Sequence, residues 1–240
     1  MNSTDHWLIN KYIAHRGFHN EEYPENTLGA FQRAIENGYA IELDVQLLQD
    51  GTVVVIHDTK LSNLLGVDKY TSTCTLEEIK KYNVLSSNEK VPTLIEVLEF
   101  VDGRAPILIE IKNTLKAGDL EKATWEILKD YTGEFAIQSF NPYSLAWFKE
   151  HAPNVLRGQL SSYFKGVNLN FIKKILLKKL KVLKISEPHF ISYDGRCLPN
   201  KYVKKCELPV LAWTIQSQED YMRVVKYVDN IIFENFTPTI

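Results

Sequence analysis

IELDV, residues 41–45, and ILIEIK, residues 107–112, each alternate apolar with ionisable side chains. A β-strand sends successive side chains to opposite faces. Glu42 and Asp44 then share one face, with Ile41, Leu43 and Val45 on the other. Glu110 and Lys112 likewise share a face, opposite Ile107, Ile109 and Ile111. Carboxylates on strands otherwise this apolar are costly unless something cationic offsets them. Glu42, Asp44 and Glu110 are therefore candidate ligands for one divalent cation. Oxygen-only donors favour Mg²⁺ or Ca²⁺ over zinc.

Outward from these two stretches, strand-like runs fall at Tyr12–His15, Ala40–Leu47, Thr52–His57, Pro106–Lys112, Phe135–Phe140, Val155–Leu160, Ile185–Tyr193, Pro209–Thr214 and Ile231–Phe233. Helical spacing lies between most of them, at Thr27–Asn37, Leu120–Lys129, Tyr143–His151, Leu169–Lys181 and Gln218–Tyr227. In the first of these, Thr27 can cap the start, Leu28, Phe31 and Ile35 recur at helical spacing, and Gly38 ends it. Repeated β-then-α order implies parallel strands joined by crossover helices. About eight such units in a chain of 240 residues predict an α/β fold, a TIM (β/α)₈ barrel. One domain, residues 1–240, is expected. The turn-rich stretch from Asp58 to Val91, with a short helical piece at Leu76–Tyr82, reads as an insertion after an early strand. It follows the strand end where barrel active sites form.

Composition is that of an ordinary globular protein, 45% hydrophobic and 24% charged. A net charge of −2 gives no sign of a nucleic-acid partner. No apolar run is long enough to span a bilayer. MNSTDHWLIN lacks a basic start and an apolar run, so no secretory leader is expected. Cys74, Cys197 and Cys206 lack metal-site spacing. Reduced thiols in the cytoplasm fit them best, with one disulfide left open.

The remaining chemistry-bearing residues also sit at predicted strand ends: His15-Arg16-Gly17 after the first strand and His57-Asp58 after the third. In a barrel these ends converge on one face. Arg16 and Lys112 would neutralise an anionic substrate, and His15 and His57 could serve as general acid and base. This is equipment for cleaving a phosphodiester. Strict alternation would separate His15 from Arg16, so a turn is expected there, eased by Gly17. His6, His19, His151 and His189 have no comparable setting.

The run IAHRGFHNEEYPENTLGAFQRAIENGYAIELDVQLLQDGTVVVIHD, residues 13–58, resembles the signature of the glycerophosphodiester phosphodiesterases. His15-Arg16-Gly17, Pro24-Glu25-Asn26-Thr27, Glu42-x-Asp44, Asp50-Gly51 and His57-Asp58 match in order. Glu110-x-Lys112, Ser139-Phe140-Asn141 and Trp213-Thr214 follow further along. The resemblance implies a TIM barrel with a small insertion and hydrolysis of glycerophosphodiesters to an alcohol and glycerol 3-phosphate. It places His15 and His57 as the acid/base pair and Glu42, Asp44 and Glu110 as ligands of one divalent cation, Mg²⁺ or Ca²⁺. Arg16 and Lys112 match phosphate contacts, and Phe140 and Trp213 match residues lining the cavity beside the glycerol or leaving group. Three departures stand out: Gln216 where Asn is frequent, Phe233-Glu234 where Thr-Asp is common, and Asn63-Leu64-Leu65-Gly66 where Arg-Thr-Thr-Gly is common. The alternatives are a lysophospholipase D-like or phosphoinositide-cleaving enzyme on the same barrel, and a barrel that binds phosphorylated ligands without turnover.

Lys165–Lys184 holds seven lysines and no acid. On a helical wheel Leu169, Ile172, Leu176, Leu180 and Leu183 make one face. Two readings follow: an outer barrel helix with a solvated basic face, or weak peripheral contact with an anionic membrane.

Overall fold

The computed structural model describes residues 6–113 and 116–239. The reading of the extreme N-terminus falls mostly on residues 1–5, outside the described residues. In chain order the elements are α1 (Trp7–Asn10), β1 (Ile13–Ala14), α2 (Leu28–Glu36), β2 (Ala40–Leu47), β3 (Val53–Val55), α3 (Leu76–Ile79), α4 (Leu94–Val101), β4 (Ile107–Ile111), α5 (Asp119–Leu128), β5 (Phe135–Ser139), α6 (Pro142–His151), β6 (Arg157–Ser161), α7 (Phe171–Lys178), α8 (Leu183–Ser186), β7 (Phe190–Asp194), β8 (Val210–Ile215), α9 (Gln218–Val224) and β9 (Asn230–Phe233). The fold is the expected (β/α)₈ barrel, with eight parallel strands. No described helix is long and apolar enough to cross a membrane.

The expected strand at Thr52–His57 is not one of the eight. It shortens to β3 and pairs antiparallel with β2, Val45 opposite Val55 and Leu47 opposite Val53. The connection through Asp50-Gly51 is too short for a crossover and permits only a hairpin. Gly51, at φ +84°, donates to the Leu48 carbonyl at 3.1 Å and closes that turn. The expected strand Ile185–Tyr193 is overturned in its first half. Its opening residues belong to α8, and only Phe190–Asp194 is extended.

The chain packs as two compact units. In the unit of residues 14–135, β2 and β4 run parallel in a register that sets Asp44 beside Glu110. Every residue of β4 is buried, as are all of β2 except Leu47. Thr27 caps α2 as the sequence predicts, and the helix buries Ala30, Phe31 and Ala34. The insertion builds its own apolar cluster, in which Leu61, Leu64, Leu65, Cys74, Ile79 and Val84 pack with Val54 and Ile56. Burial of Leu64 and Leu65 accounts for their presence where the family commonly has polar residues.

Helix α4 is absent from the periodicities above, although Thr93 and Glu96 spell a capping box. Thr93 Oγ1 accepts from the Glu96 N–H at 3.1 Å, and Glu96 Oε2 accepts from the Thr93 N–H at 2.7 Å. Lys80 Nζ donates to both Glu96 oxygens at 2.8 and 2.6 Å. Partial burial would raise the Glu96 carboxyl, but Lys80 and Thr93 outweigh it and hold it below its ordinary value. Glu96→Ala is expected to cost about 1 kcal/mol of stability. A carboxyl lowered on folding stabilises above its unfolded pKa and ceases to as pH falls through the folded one. Denaturant titrations of both proteins should therefore differ near about pH 7 and draw together as pH falls below the ordinary glutamate value of 4.5.

In the unit of residues 1–13 and 136–240, β5 to β9 lie side by side in sequence order, each parallel to the next. Phe190, Tyr193 and Phe233 are among its largest buried side chains. Asn230 Nδ2 donates to the carbonyls of Leu8 at 2.9 Å and Lys11 at 2.6 Å, tying α1 to β9. Cys74, in the first unit, and Cys197 and Cys206, in this one, are all free thiols.

The lysine-rich segment departs from its wheel. Helix α7 stops at Lys178, and Leu180 takes a left-handed φ of 55°, so Leu180 and Leu183 leave the helical register. The buried apolar residues are Leu177, Leu180 and Val182, with Leu177 and Val182 packing against Phe164. Ile172 and Leu176, expected to face inward, are exposed.

Candidate active site

The sequence trio converges. Glu42, Asp44 and Glu110 are 1%, 1% and 8% exposed, and one carboxylate oxygen from each lies within 4.8 Å of the others. Alternation on β2 puts Glu42 and Asp44 on one face, and the parallel register with β4 brings Glu110 beside them.

The turn after β1 forms where Gly17 predicts it, but Arg16 carries it too, with φ 55° followed by +81° at Gly17. A Cβ on Gly17 would come within 2.9 Å of Ala30 and Phe31, so the chain passes where no side chain fits. The reversal aims the Arg16 N–H at Glu42 Oε2, 3.0 Å away. The Arg16 guanidinium donates to Glu25 Oε1 at 2.7 Å and places Nε 3.4 Å from Asp44 Oδ2. Lys112 Nζ lies 3.2 Å from Glu110 Oε1 and 3.6 Å from Asp44 Oδ1.

Two fixed cations thus face three buried carboxylates, and the balance falls unevenly. Burial, with Asp44 and Glu110 nearby, pushes the Glu42 carboxyl well above its ordinary value. Burial also raises Glu110, to about 7, against the pull of Lys112. Asp44 is buried as deeply, yet Lys112, His57 and Arg16 overcome that and hold it below the usual range. Burial would lower Lys112, but Glu110 and Asp44 raise it instead. Oxygen-only donors that resist ionisation for want of positive charge fit a hard dication.

His57 follows β3 at the edge of this cluster, with its side chain 33% exposed, enough for a ligand to reach it. Its Nδ1 stands 3.0 Å from Asp58 Oδ1. Burial lowers its pKa, and Lys112 and Arg16 add to that effect, while Asp44 and Asp58 oppose it. His15, at the end of β1, is near enough to Asp44 to help keep that carboxyl ionised.

Two supporting residues went unassigned in the sequence. Asn26 is buried, donates through Nδ2 to Asp44 Oδ2 at 3.0 Å and accepts from the Asp44 N–H at 3.3 Å. Gln46 Nε2 donates to the carbonyls of Ile56 at 3.0 Å and His57 at 2.9 Å, fixing the backbone beneath the histidine. Alternation could have found Gln46, which shares the Glu42–Asp44 face. Asn26, on a loop at φ 58°, could be found only through its motif.

Phe140 and Trp213 belong to the other unit. Their rings pack edge-to-face with centroids 5.5 Å apart, and Trp213 Nε1 donates to the Ser192 carbonyl at 3.0 Å.

The profile of the Glycerophosphoryl diester phosphodiesterase family matches residues 15–237. The chain belongs to this family. A glycerophosphodiester phosphodiesterase from Caldanaerobacter subterraneus subsp. tengcongensis is 34% identical over 236 residues, 93% of each chain. The structure of a Thermotoga maritima glycerophosphodiester phosphodiesterase matches with a TM-score of 0.71 at 29% identity, covering 92% of this chain and 93% of that one. A phosphodiesterase from Oleispira antarctica, solved with the product sn-glycerol-3-phosphate, shares the fold with a TM-score of 0.80 at 24% identity, covering 95% and 93%. As a glycerophosphoryl diester phosphodiesterase, the chain is a phosphoric diester hydrolase. Two of its departures from the family pattern are joined, since Gln216 Nε2 donates to Glu234 Oε1 at 2.6 Å.

Proposed function

We propose that this chain, acting as one catalytic domain over residues 1–240, hydrolyses glycerophosphodiesters to an alcohol and glycerol 3-phosphate with one divalent cation, Mg²⁺ or Ca²⁺. The observation that carries this reading is the buried meeting of Glu42, Asp44 and Glu110 beside Arg16, Lys112 and His57. The three carboxylates would hold the cation, whose chemistry is to draw negative charge from phosphate oxygens. Arg16 and Lys112 supply fixed positive charge against that carried by the phosphodiester. The Asp58 carboxylate accepts from His57 Nδ1, so the neutral ring has its lone pair on Nε2, ready to take a proton. A lowered pKa keeps that ring neutral near pH 7 and suits His57 to the role of base. His15 is assigned the complementary acid. By their motif positions alone, Phe140 and Trp213 are assigned to contact with the glycerol or leaving group. Three free thiols support a cytoplasmic location.

A panel of water-soluble glycerophosphodiesters, assayed with Mg²⁺, with Ca²⁺ and with chelator, tests this. Glycerol 3-phosphate is expected with a divalent cation and is expected to vanish on chelation. If, in parallel assays, lysophosphatidylcholine yields lysophosphatidate or phosphatidylinositol yields inositol phosphates while the water-soluble diesters yield no glycerol 3-phosphate, this substrate assignment is replaced. Binding of glycerophosphocholine with no diester ever cleaved would overturn the hydrolytic reading.

A further inference from the structure

Helix α7 and the turns around it expose apolar side chains that an outer barrel helix would normally bury. Phe171 is 74% exposed, Ile172 65% and Leu176 40%, and Val167 and Ile185 flank them at 49% and 38%. Five of the twelve exposed large hydrophobic side chains among the described residues lie between Val167 and Ile185. Ile172 and Leu176, four residues apart, stand side by side on the helix surface. The opposite side anchors the segment through Leu177 and Val182 against Phe164, so the outward face is not a frayed end. Asn170 Oδ1 accepts from the N–H groups of Ile172 and Lys173 at 2.9 and 3.4 Å and fixes where the helix begins.

Charge surrounds this crest. Lys165, Lys173, Lys179, Lys181 and Lys184 are exposed, and Lys174 and Lys178 are half-buried. Among the described residues none of the seven makes an ion pair, whereas lysines elsewhere, such as Lys60, Lys69, Lys80, Lys81 and Lys129, do. Lys178 Nζ sits 3.9 Å above the Tyr163 ring instead. Glu187, the first acid after the segment, is taken by Lys149 at 2.7 Å. A solvated basic face explains the lysines but leaves the apolar crest exposed between them. An interface with a second copy of this chain would cover the crest but bring seven unpaired lysines against seven more.

We propose that residues 165–185 dock the protein on an anionic phospholipid surface, with Phe171, Ile172 and Leu176 entering the headgroup boundary and the surrounding lysines meeting lipid phosphates. An apolar crest within a lysine-rich rim is the pattern of an interfacial helix. The patch needs nothing from the catalytic centre, so its test is binding alone.

The full chain is floated with vesicles of phosphatidylcholine, or of phosphatidylcholine with about a third phosphatidylglycerol. Flotation is expected only with the anionic vesicles and is expected to fall at about 1 M salt, where the screening length shrinks to about 3 Å. Phe171→Trp places a reporter at an exposed position, and its emission should shift to the blue on anionic vesicles. Each unit of positive charge lost should weaken binding by about fivefold, so Lys173→Glu with Lys181→Glu, which together shift the patch by four charges, should abolish flotation. Ile172→Ser with Leu176→Ser should weaken it without altering turnover of a water-soluble diester. No flotation with anionic vesicles at low salt overturns the proposal. So does flotation indifferent to the lysine changes, or a dimer in sedimentation velocity that Ile172→Asp splits while no lipid binds.

Discussion

His57→Ala is expected to lower kcat by about 10²–10⁴-fold, the usual contribution of a positioned acid or base. The melting temperature should barely move. The side chain is one-third exposed and its ring bonds Asp58, at the rim of the cluster. A large loss of kcat with an unchanged thermal transition places the effect in chemistry rather than in folding. Asp58→Ala refines the result through pH. The Asp58 hydrogen bond raises the His57 pKa against the burial that lowers it. Without that bond the pKa falls further, the ring stays neutral to lower pH, and the acidic limb of kcat/KM moves to lower pH. Wild-type turnover by His57→Ala would remove this residue from the reaction.

The second large effect separates two carboxylates that look equivalent in the sequence. Asp44→Ala should destabilise the metal-free protein by about 1–3 kcal/mol, because Arg16 and Lys112 lose a buried partner while keeping Glu25 and Glu110. It also leaves Asn26 Nδ2 without its acceptor. Glu42→Gln removes a carboxyl already pushed up by burial and by its acidic neighbours, and it keeps an oxygen for the Arg16 N–H. Its stability in chelator should equal or exceed that of the wild type. The pH dependence carries the same signature. A carboxyl raised on folding stabilises below its unfolded pKa, and that contribution is lost as pH rises through the folded value. Metal-free wild type should therefore lose stability as pH climbs from the ordinary glutamate value of 4.5 toward the Glu110 value of about 7, and Glu42→Gln should flatten part of that slope. Asp44, held low, acts oppositely, stabilising above its unfolded pKa and failing as pH falls. Mg²⁺ or Ca²⁺ at about a hundred times its Kd should stabilise the wild type by about 2.7 kcal/mol and neither variant. Calorimetry with chelator and with metal measures all of this. Equal losses from both substitutions would show that the two carboxylates share one electrostatic role.

The barrel was legible because two periods differ, two residues along a strand and 3.6 along a helix. Ala40–Leu47 matches β2 to the residue, and Thr27 caps α2 as expected. Where the reading failed, local pattern and tertiary packing disagreed. Thr52–His57 has the composition of a barrel strand, but the short turn before it allows only a hairpin. Leu169–Lys181 has a helical apolar face, but the chain leaves the helix after Lys178 and buries Leu177 in place of Ile172 and Leu176. A wheel assumes an unbroken helix, and nothing local in this segment announces the break.

Sequence by itself determined the alternating strands and helices, the face shared by Glu42 and Asp44, the turn at Gly17 and the family motifs, since each depends on neighbours along the chain. Tertiary structure alone decided that Asp44 lies beside Glu110, that Arg16 and Lys112 favour Asp44 over Glu42, and which groups Asn26 and Gln46 bond. Those outcomes depend on strand register and on distances between segments far apart in the chain. Charge interactions follow distance and burial, which the order of residues does not specify.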